Sequence, residues 1–206
     1  MPLGDSYATL AELRGRVGIT DATFTTEDTR LTAALAAASR GIEKLCGRQF
    51  NSAGSATARV YEPRTQRTVN VDDLHTTSGL VIKIDTAGDG TYSTTITSAQ
   101  YQLRPLNGVV DGETGWPWSE VEAVNGLCWP TSWDIAPVQV TANWGWAAVP
   151  TPVKEASLIL AEEIYRLKEM PFGVGGYGQF GIIRARANPM VMARVGPYVR
   201  DLVMVA

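Results

Sequence analysis

Residues 150–171 read Pro-Thr-Pro-Val-Lys-Glu-Ala-Ser-Leu-Ile-Leu-Ala-Glu-Glu-Ile-Tyr-Arg-Leu-Lys-Glu-Met-Pro. Pro150 and Pro152 suit a helix start, because the first turn has no use for the missing N–H. Pro171 cannot continue a helix and restricts the residue before it. The spacing predicts a helix over 152–170, a rod of roughly 19 residues and about 28 Å. On its surface Val153, Ala156, Leu160, Ile164 and Leu167 form one stripe. Ile159 widens it on one flank, and Leu158, Ala161 and Tyr165 widen it on the other. Only Glu155, Glu162, Arg166 and Glu169 make a polar arc, with Glu162 and Arg166 at the favourable i,i+4 spacing. A surface helix needs an apolar stripe of little more than about 100°. This one has more, so it calls for cover on two sides, at the centre of a larger domain or against another subunit.

Upstream, Thr9 and Glu12 form a capping-box pair ahead of Leu10, Leu13 and Val17, with Gly18 as a stop, which predicts a helix over 9–18. A second helix is predicted over 27–46, with Leu31, Leu35, Ala38, Ile42 and Leu45 as its stripe and Gly47 as its end. Its other side alternates Ala33, Ala36 and Ala37 with Arg40, Glu43 and Lys44. Small residues beside charges permit close approach of another polypeptide; alanine also raises helix propensity by itself. Both readings fit.

From 56 to 146 the texture is β. Period-2 or β-branched runs fall at Ala58–Glu62, Thr68–Val71, Leu80–Asp85, Tyr92–Thr97, Tyr101–Arg104, Glu120–Cys128 and Val138–Trp144. Leu80–Asp85 and Tyr92–Thr97 read as a hairpin. Helices flank the block on both sides. The expected class is therefore α+β: a helical bundle body, residues 1–55 and 147–206, with a β-rich insertion at 56–146. After Pro171 comes a loop with five glycines between 173 and 181, and Asn188-Pro189 then opens a short helix over 189–195.

A 45 % apolar and 19 % charged chain of 206 residues is ordinary for one folded domain, or for one domain with an insertion. No 18-residue apolar run is present, so no membrane span is expected. The N-terminus lacks the basic-then-apolar order of a secretory signal, so synthesis inside the cell is the default expectation. Cys46 and Cys128 read as two buried thiols in a reducing compartment. Residues 1–165 carry 12 basic and 19 acidic side chains, whereas 166–206 carry 6 basic and 2 acidic. A basic tail on an acidic body suits an arm toward an acidic partner, and is too weak for tight DNA binding.

No catalytic group can be named. The one histidine, His75, reads as part of a polar turn beside Asp72 and Asp73, and no Gly-x-Ser-x-Gly is present. Gly173, Gly175 and Gly178 fit Gly-x-Gly-x-x-Gly, but no strand precedes them and no helix follows at once, so no dinucleotide is expected. Asp85, Asp89 and Gly90 resemble part of a calcium loop; Ala87 stands where an oxygen ligand belongs, and Ile96 occupies the twelfth position. No metal or other cofactor is expected. The tryptophans 116, 118, 129, 133, 144 and 146 read as core of a small β unit, with an interface or a glycan platform as alternatives.

Several stretches stand in a recognisable order: Ile-Glu-Lys-Leu-Cys-Gly-Arg-Gln-Phe (42–50), Gly-Leu-Val-Ile-Lys-Ile-Asp-Thr-Ala-Gly-Asp-Gly-Thr-Tyr (79–92) and Val-Thr-Ala-Asn-Trp-Gly-Trp (140–146). Pro-x-x-Val-Lys-Glu-Ala (150–156) and Pro-Phe-Gly-Val-Gly-Gly-Tyr-Gly (171–178) complete the set. As a set they resemble the head-to-tail connector, or adaptor, proteins of tailed bacteriophages that infect actinobacteria, over nearly the whole chain. The resemblance implies a virion structural protein and no enzyme: a ring, dodecameric as a rule, beneath the portal protein, joining capsid to tail. It implies a platform for the next neck or tail protein and a channel through which double-stranded DNA passes without specific binding. A ring subunit has two lateral faces. The expected subunit-interface residues are accordingly Leu158, Ile159, Tyr165, Ala33, Ala36, Ala37 and Arg40. The expected portal-docking arm holds Arg184, Arg186, Arg194, Tyr198, Arg200, Leu202 and Val203. A stopper or tail terminator, and a tryptophan-rich glycan-binding module, are the alternative readings.

Overall fold

In a computed structural model, the described residues are 4–21, 23–131, 135–167 and 188–200. They form two compact units, one of Asn51–Ala148 and one of the residues up to Phe50 together with those from Val149 onward.

The first unit is a sheet. Its strands are β1 (Thr57–Tyr61), β2 (Thr68–Ile84), β3 (Thr94–Ile96), β4 (Tyr101–Arg104), β5 (Val109–Val110), β6 (Glu113–Thr114), β7 (Trp118–Ala123) and β8 (Val138–Trp144). The main sheet runs β1-β8-β2-β7-β4, with β3 also on β2, and every pairing is antiparallel. β8 shows why it forms: Val138, Val140, Ala142 and Trp144 are buried, alternating with half-buried Gln139, Thr141 and Asn143. β2 is 17 residues long. On one edge it pairs with β7 (Val69 opposite Val121) and then with β3 (Ile82 opposite Ile96); on the other it follows β8 (Leu74 opposite Trp144, Ile82 opposite Val140). The register with β8 slips between Thr76 and Val81, where Gly79 takes a φ of 75°. Such a bulge lets one strand bend and serve both halves of a sheet.

Of the five described tryptophans, Trp116, Trp129, Trp144 and Trp146 are buried and Trp118 is half-buried. The indole N–H of Trp144 donates to the Thr57 carbonyl at 2.8 Å, and that of Trp146 to the Asp73 carboxylate at 2.9 Å. These rings belong to the interior. They are not an open platform.

The second unit holds α1 (Leu10–Arg16), α2 (Asp28–Cys46), α3 (Thr151–Arg166) and α4 (Pro189–Val195). Thr9 and Glu12 cap α1 reciprocally, and Gly47 ends α2 in the left-handed region at φ 62°. Leu31, Leu35, Ile42, Phe50, Val153, Leu160, Val191 and Val195 are all buried. α2 and α3 approach closely, with the hydroxyls of Ser39 and Ser157 3.3 Å apart.

The expected helical bundle body with an inserted β-rich domain is not what the structure shows. Six antiparallel strands make the main element, beside four helices of 7, 19, 16 and 7 residues. The reason lies in β2. Thr68–Val71 and Leu80–Asp85, read as separate strands with a turn between them, fall in one strand that ends at Ile84 and pairs along both edges. That strand gives the sheet a core of its own, from Val69 and Leu74 to Trp129 and Trp144. His75 is corrected with it: the residue is half-buried within β2 and not in a polar turn. Cys46 is buried, but Cys128 is exposed. The last turn expected for the 152–170 helix falls partly on residues 168–170, outside the described residues.

The close of β8 supplies a test. Gly145 has φ 95°, its N–H donates to the Asp73 carbonyl at 2.7 Å, and a Cβ there would lie 1.8 Å from the Asn51 carbonyl oxygen. Gly145→Ala is expected to cost about 3 kcal/mol or more of stability, read from the urea midpoint of unfolding. An unchanged midpoint would show that the backbone there yields freely.

Candidate subunit interface

α2 divides its alanines. Ala34 and Ala38 lie inside, with Leu31, Leu35 and Ile42; Ala33, Ala36 and Ala37 are exposed on the other side. Spacings of three and four residues put these last three on one face. Arg40 continues that face and is half-buried. Its guanidinium pairs with Glu43 at 2.8 Å, donates to the Gly4 carbonyl at 3.3 Å and lies 5.9 Å from the centre of the Tyr7 ring. Glu43 in turn accepts the Tyr7 hydroxyl at 2.6 Å. Burial, and then that bond to Glu43, push the Tyr7 hydroxyl far above its ordinary pKa. The cation at the edge of the alanine face is therefore held in place by packing and by a hydrogen-bond chain.

On α3 the expected interface residues separate. Leu158 is only 6 % exposed, enclosed within its own chain, whereas Ile159 and Tyr165 are half-buried. α4 supplies part of the cover: Asn188 caps it through the N–H groups of Met190 and Val191, and its side-chain amide donates to the Glu163 carboxylate. α1 supplies another part through charge. Lys154 pairs with Glu12, Arg16 reaches Glu162 at 2.7 Å and Glu155 at 3.5 Å, and Arg166 reaches Glu162 at 2.8 Å. Leu167 and Met190 remain exposed where α3 ends and α4 begins.

Arg184, Arg186, Leu202 and Val203 of the expected arm lie outside the described residues, as does the glycine loop. Tyr198 does not hang free. It is 7 % exposed and meets the Phe50 ring edge-to-face at 5.9 Å, while the Arg200 N–H donates to the Cys46 carbonyl at 2.8 Å. Arg194 donates to the Met190 carbonyl of its own helix at 3.0 Å. Of the expected arm, Tyr198 and Arg200 thus lie against Phe50 and Cys46 of their own unit. The backbone at Arg200 is still tied to the end of α2.

The partial calcium loop is a closed turn. Asp85 is buried, and its carboxylate accepts the N–H groups of Ala87, Gly88 and Gly90 at 2.9, 2.7 and 2.7 Å. Burial alone would raise this carboxyl, but those N–H groups outweigh it and hold its pKa below the ordinary range. Among the described residues no group of three or more His, Cys, Asp or Glu side chains could hold a metal ion, and no helix is long and apolar enough to cross a membrane.

Two features escaped the sequence reading. The ion pairs between α1 and α3 join residues about 140 positions apart and carry no local signal. The β5–β6 hairpin does carry one: Asp111-Gly112 between Val-Val and Glu-Thr is a two-residue turn signature.

No family model and no curated protein matches the sequence. Solved structures do. The chain is similar to one in the neck of an empty gene transfer agent (GTA) particle computed with C6 symmetry, at 22 % identity and a TM-score of 0.57, over 96 % of this chain and 91 % of that one. It is similar over the same shares to a chain in the virion of the native particle, at 22 % and 0.55. A chain in the native neck computed with C12 symmetry matches at 20 % and 0.52, again over 96 % and 91 %. The likeness of fold covers 96 % of this chain.

The α1–α3 link has a pH signature. The hydrogen bond from Lys154, then the Thr9 N–H, lower the Glu12 carboxyl from 4.5 to about 2. A depressed folded pKa contributes stability above the unfolded value and loses it as pH falls through the folded one. The Glu12 carboxyl resonance is expected to stay that of the anion at pH 4 and to titrate only near pH 2. A midpoint near 4.5 would mean that the pair with Lys154 does not hold in solution.

Proposed function

We propose that this chain is a structural, non-enzymatic component of the neck of a tailed-phage-like particle, and that copies of it form a ring beneath the portal protein. The observation that supports the reading is the likeness of fold over 96 % of the chain to chains of a GTA particle, two of them in neck reconstructions with C6 and C12 symmetry. In this reading the ring joins capsid to tail, extends the DNA channel and offers a platform to the next neck or tail protein. A net charge of −3 suits a channel wall, because a basic lining would bind phosphates and slow the passing duplex. Lateral contact falls to Ala33, Ala36, Ala37 and Arg40, with Ile159 and Tyr165; Leu158 is already used by its own chain. Portal contact falls to the basic C-terminal region, with Arg184, Arg186, Arg194, Leu202 and Val203, and not to buried Tyr198. The glycan-binding alternative needs exposed indoles, and four of the five described ones are buried.

Native mass spectrometry and negative-stain microscopy of the full chain with a portal protein are expected to show rings of fixed copy number seated on the portal. A chain ending at Arg200, which keeps the buried α4 and Tyr198, is expected to lose at least tenfold in portal affinity. Monomers at every concentration, with and without portal, would contradict the ring; undiminished binding by the shortened chain would contradict the arm.

A further inference from the structure

The hairpin of β5 and β6 has no role in the core. Its two strands pair only with each other. Leu106 and Val109 are 41 % and 38 % exposed, and Asp111–Gly115 are exposed throughout. A hairpin this short does not hold itself together in water. Here it is held from below. The Trp116 N–H donates to the Gly108 carbonyl at 3.0 Å, and a Cβ on Gly108 would lie 2.8 Å from the Trp116 carbonyl oxygen. The buried Trp116 indole lies 5.2 Å from that of Trp146, which is bonded to Asp73. At the tip Asp111 and Gly112 both have positive φ, 50° and 83°, as a type I′ turn requires. The result is a fixed finger that presents two aliphatic side chains and two acids. Neither Asp111 nor Glu113 makes an ion pair among the described residues.

We propose that this finger is a contact between copies, seated on the outer side of α2 of the next subunit. The proposal rests on the ring reading above. Charge complementarity selects the occupant. Residues 51–148 carry 5 basic and 10 acidic side chains, whereas the rest of the chain carries 13 and 11. The outer side of α2 presents Arg30, paired with Glu27 at 3.6 Å, Arg40, paired with Glu43 at 2.8 Å, and exposed Lys44, which has no ion pair among the described residues and is the cation left for the finger's acids. Between these cations Ala33, Ala36 and Ala37 leave room for a backbone, and Leu106 and Val109 of the finger are of a kind to cover their methyl groups. Finger and seat are different surfaces, so repetition of the contact builds a ring or a filament and not a two-fold dimer.

The test uses the full chain with Cys128→Ser, which leaves only buried Cys46, and adds Asp111→Cys and Lys44→Cys. Oxidation of assemblies formed with portal protein is expected to give a ladder of covalent oligomers, whereas either cysteine alone stops at dimers. In a separate variant, Asp111→Asn, which keeps a residue that tolerates positive φ, with Glu113→Lys is expected to weaken assembly at least tenfold, with an unchanged thermal midpoint. Rings that form without the ladder and tolerate the charge reversal would overturn the finger and leave the ring standing. A cross-link from residue 111 to portal in place of a second copy would also overturn it. A chain that never assembles would overturn both.

Discussion

The close passage of α2 against α3 is the contact on which the helical unit depends. Ser39 lies at its centre: it donates to the Leu35 carbonyl at 2.9 Å, accepts the Tyr7 N–H at 3.0 Å and faces the Ser157 hydroxyl. Beside it a Cβ on Gly41 would come within 3.3 Å of the Leu160 side chain. Small residues let the two helices approach, and the serines satisfy each other and the backbone where a longer polar side chain would be stranded. Packing of this kind uses one side of α2 completely. On the opposite side Ala33, Ala36 and Ala37 are exposed among the described residues.

A parallel logic runs through the sheet unit. Its polar groups are placed where the strands need an anchor. Asp73 accepts the Trp146 indole N–H and, through its carbonyl, the Gly145 N–H; Asp85 closes its own turn; Arg59 pairs with Asp72 while lying 4.7 Å from the centre of the Trp144 ring. Buried charge is expensive unless it is paired or hydrogen-bonded. Asp73 and Asp85, the buried carboxylates, are each hydrogen-bonded, whereas Asp72 is partly exposed in its pair with Arg59. The same unit carries the finger at Leu106–Gly115.

Much of this was legible because local rules decide it. The Thr9–Glu12 cap, Gly47 as a left-handed end, Asn188 as a cap and the alternation along Val138–Trp144 all follow from neighbours within a few residues. The architecture was not legible, because it depends on β2. A polar stretch, Asp72–Gly79, looks like a turn, yet it lies within one continuous strand, paired at Leu74 and Thr76 with shifts of register to either side. The circumference of α3 misled in a similar way. Its apolar excess was assigned to a neighbouring subunit, but α4 encloses part of it, and α1 reaches its polar edge through Lys154, Glu155 and Glu162. Periodicity reports which faces of a helix need cover. It does not say who supplies it.

In the proposed ring, lateral contact falls to α2 more than to α3, on the exposed Ala33, Ala36 and Ala37 beside Arg40. Arginine is a good helix former, so placing it on an exposed helical face costs little by itself. Sedimentation velocity and thermal unfolding of the chain carrying Ala36→Arg and Ala37→Arg, beside the unaltered chain, test this most directly. The account predicts an unchanged unfolding midpoint and loss of the assembled species. A sharp fall in the midpoint, or assembly that persists undiminished, would contradict it.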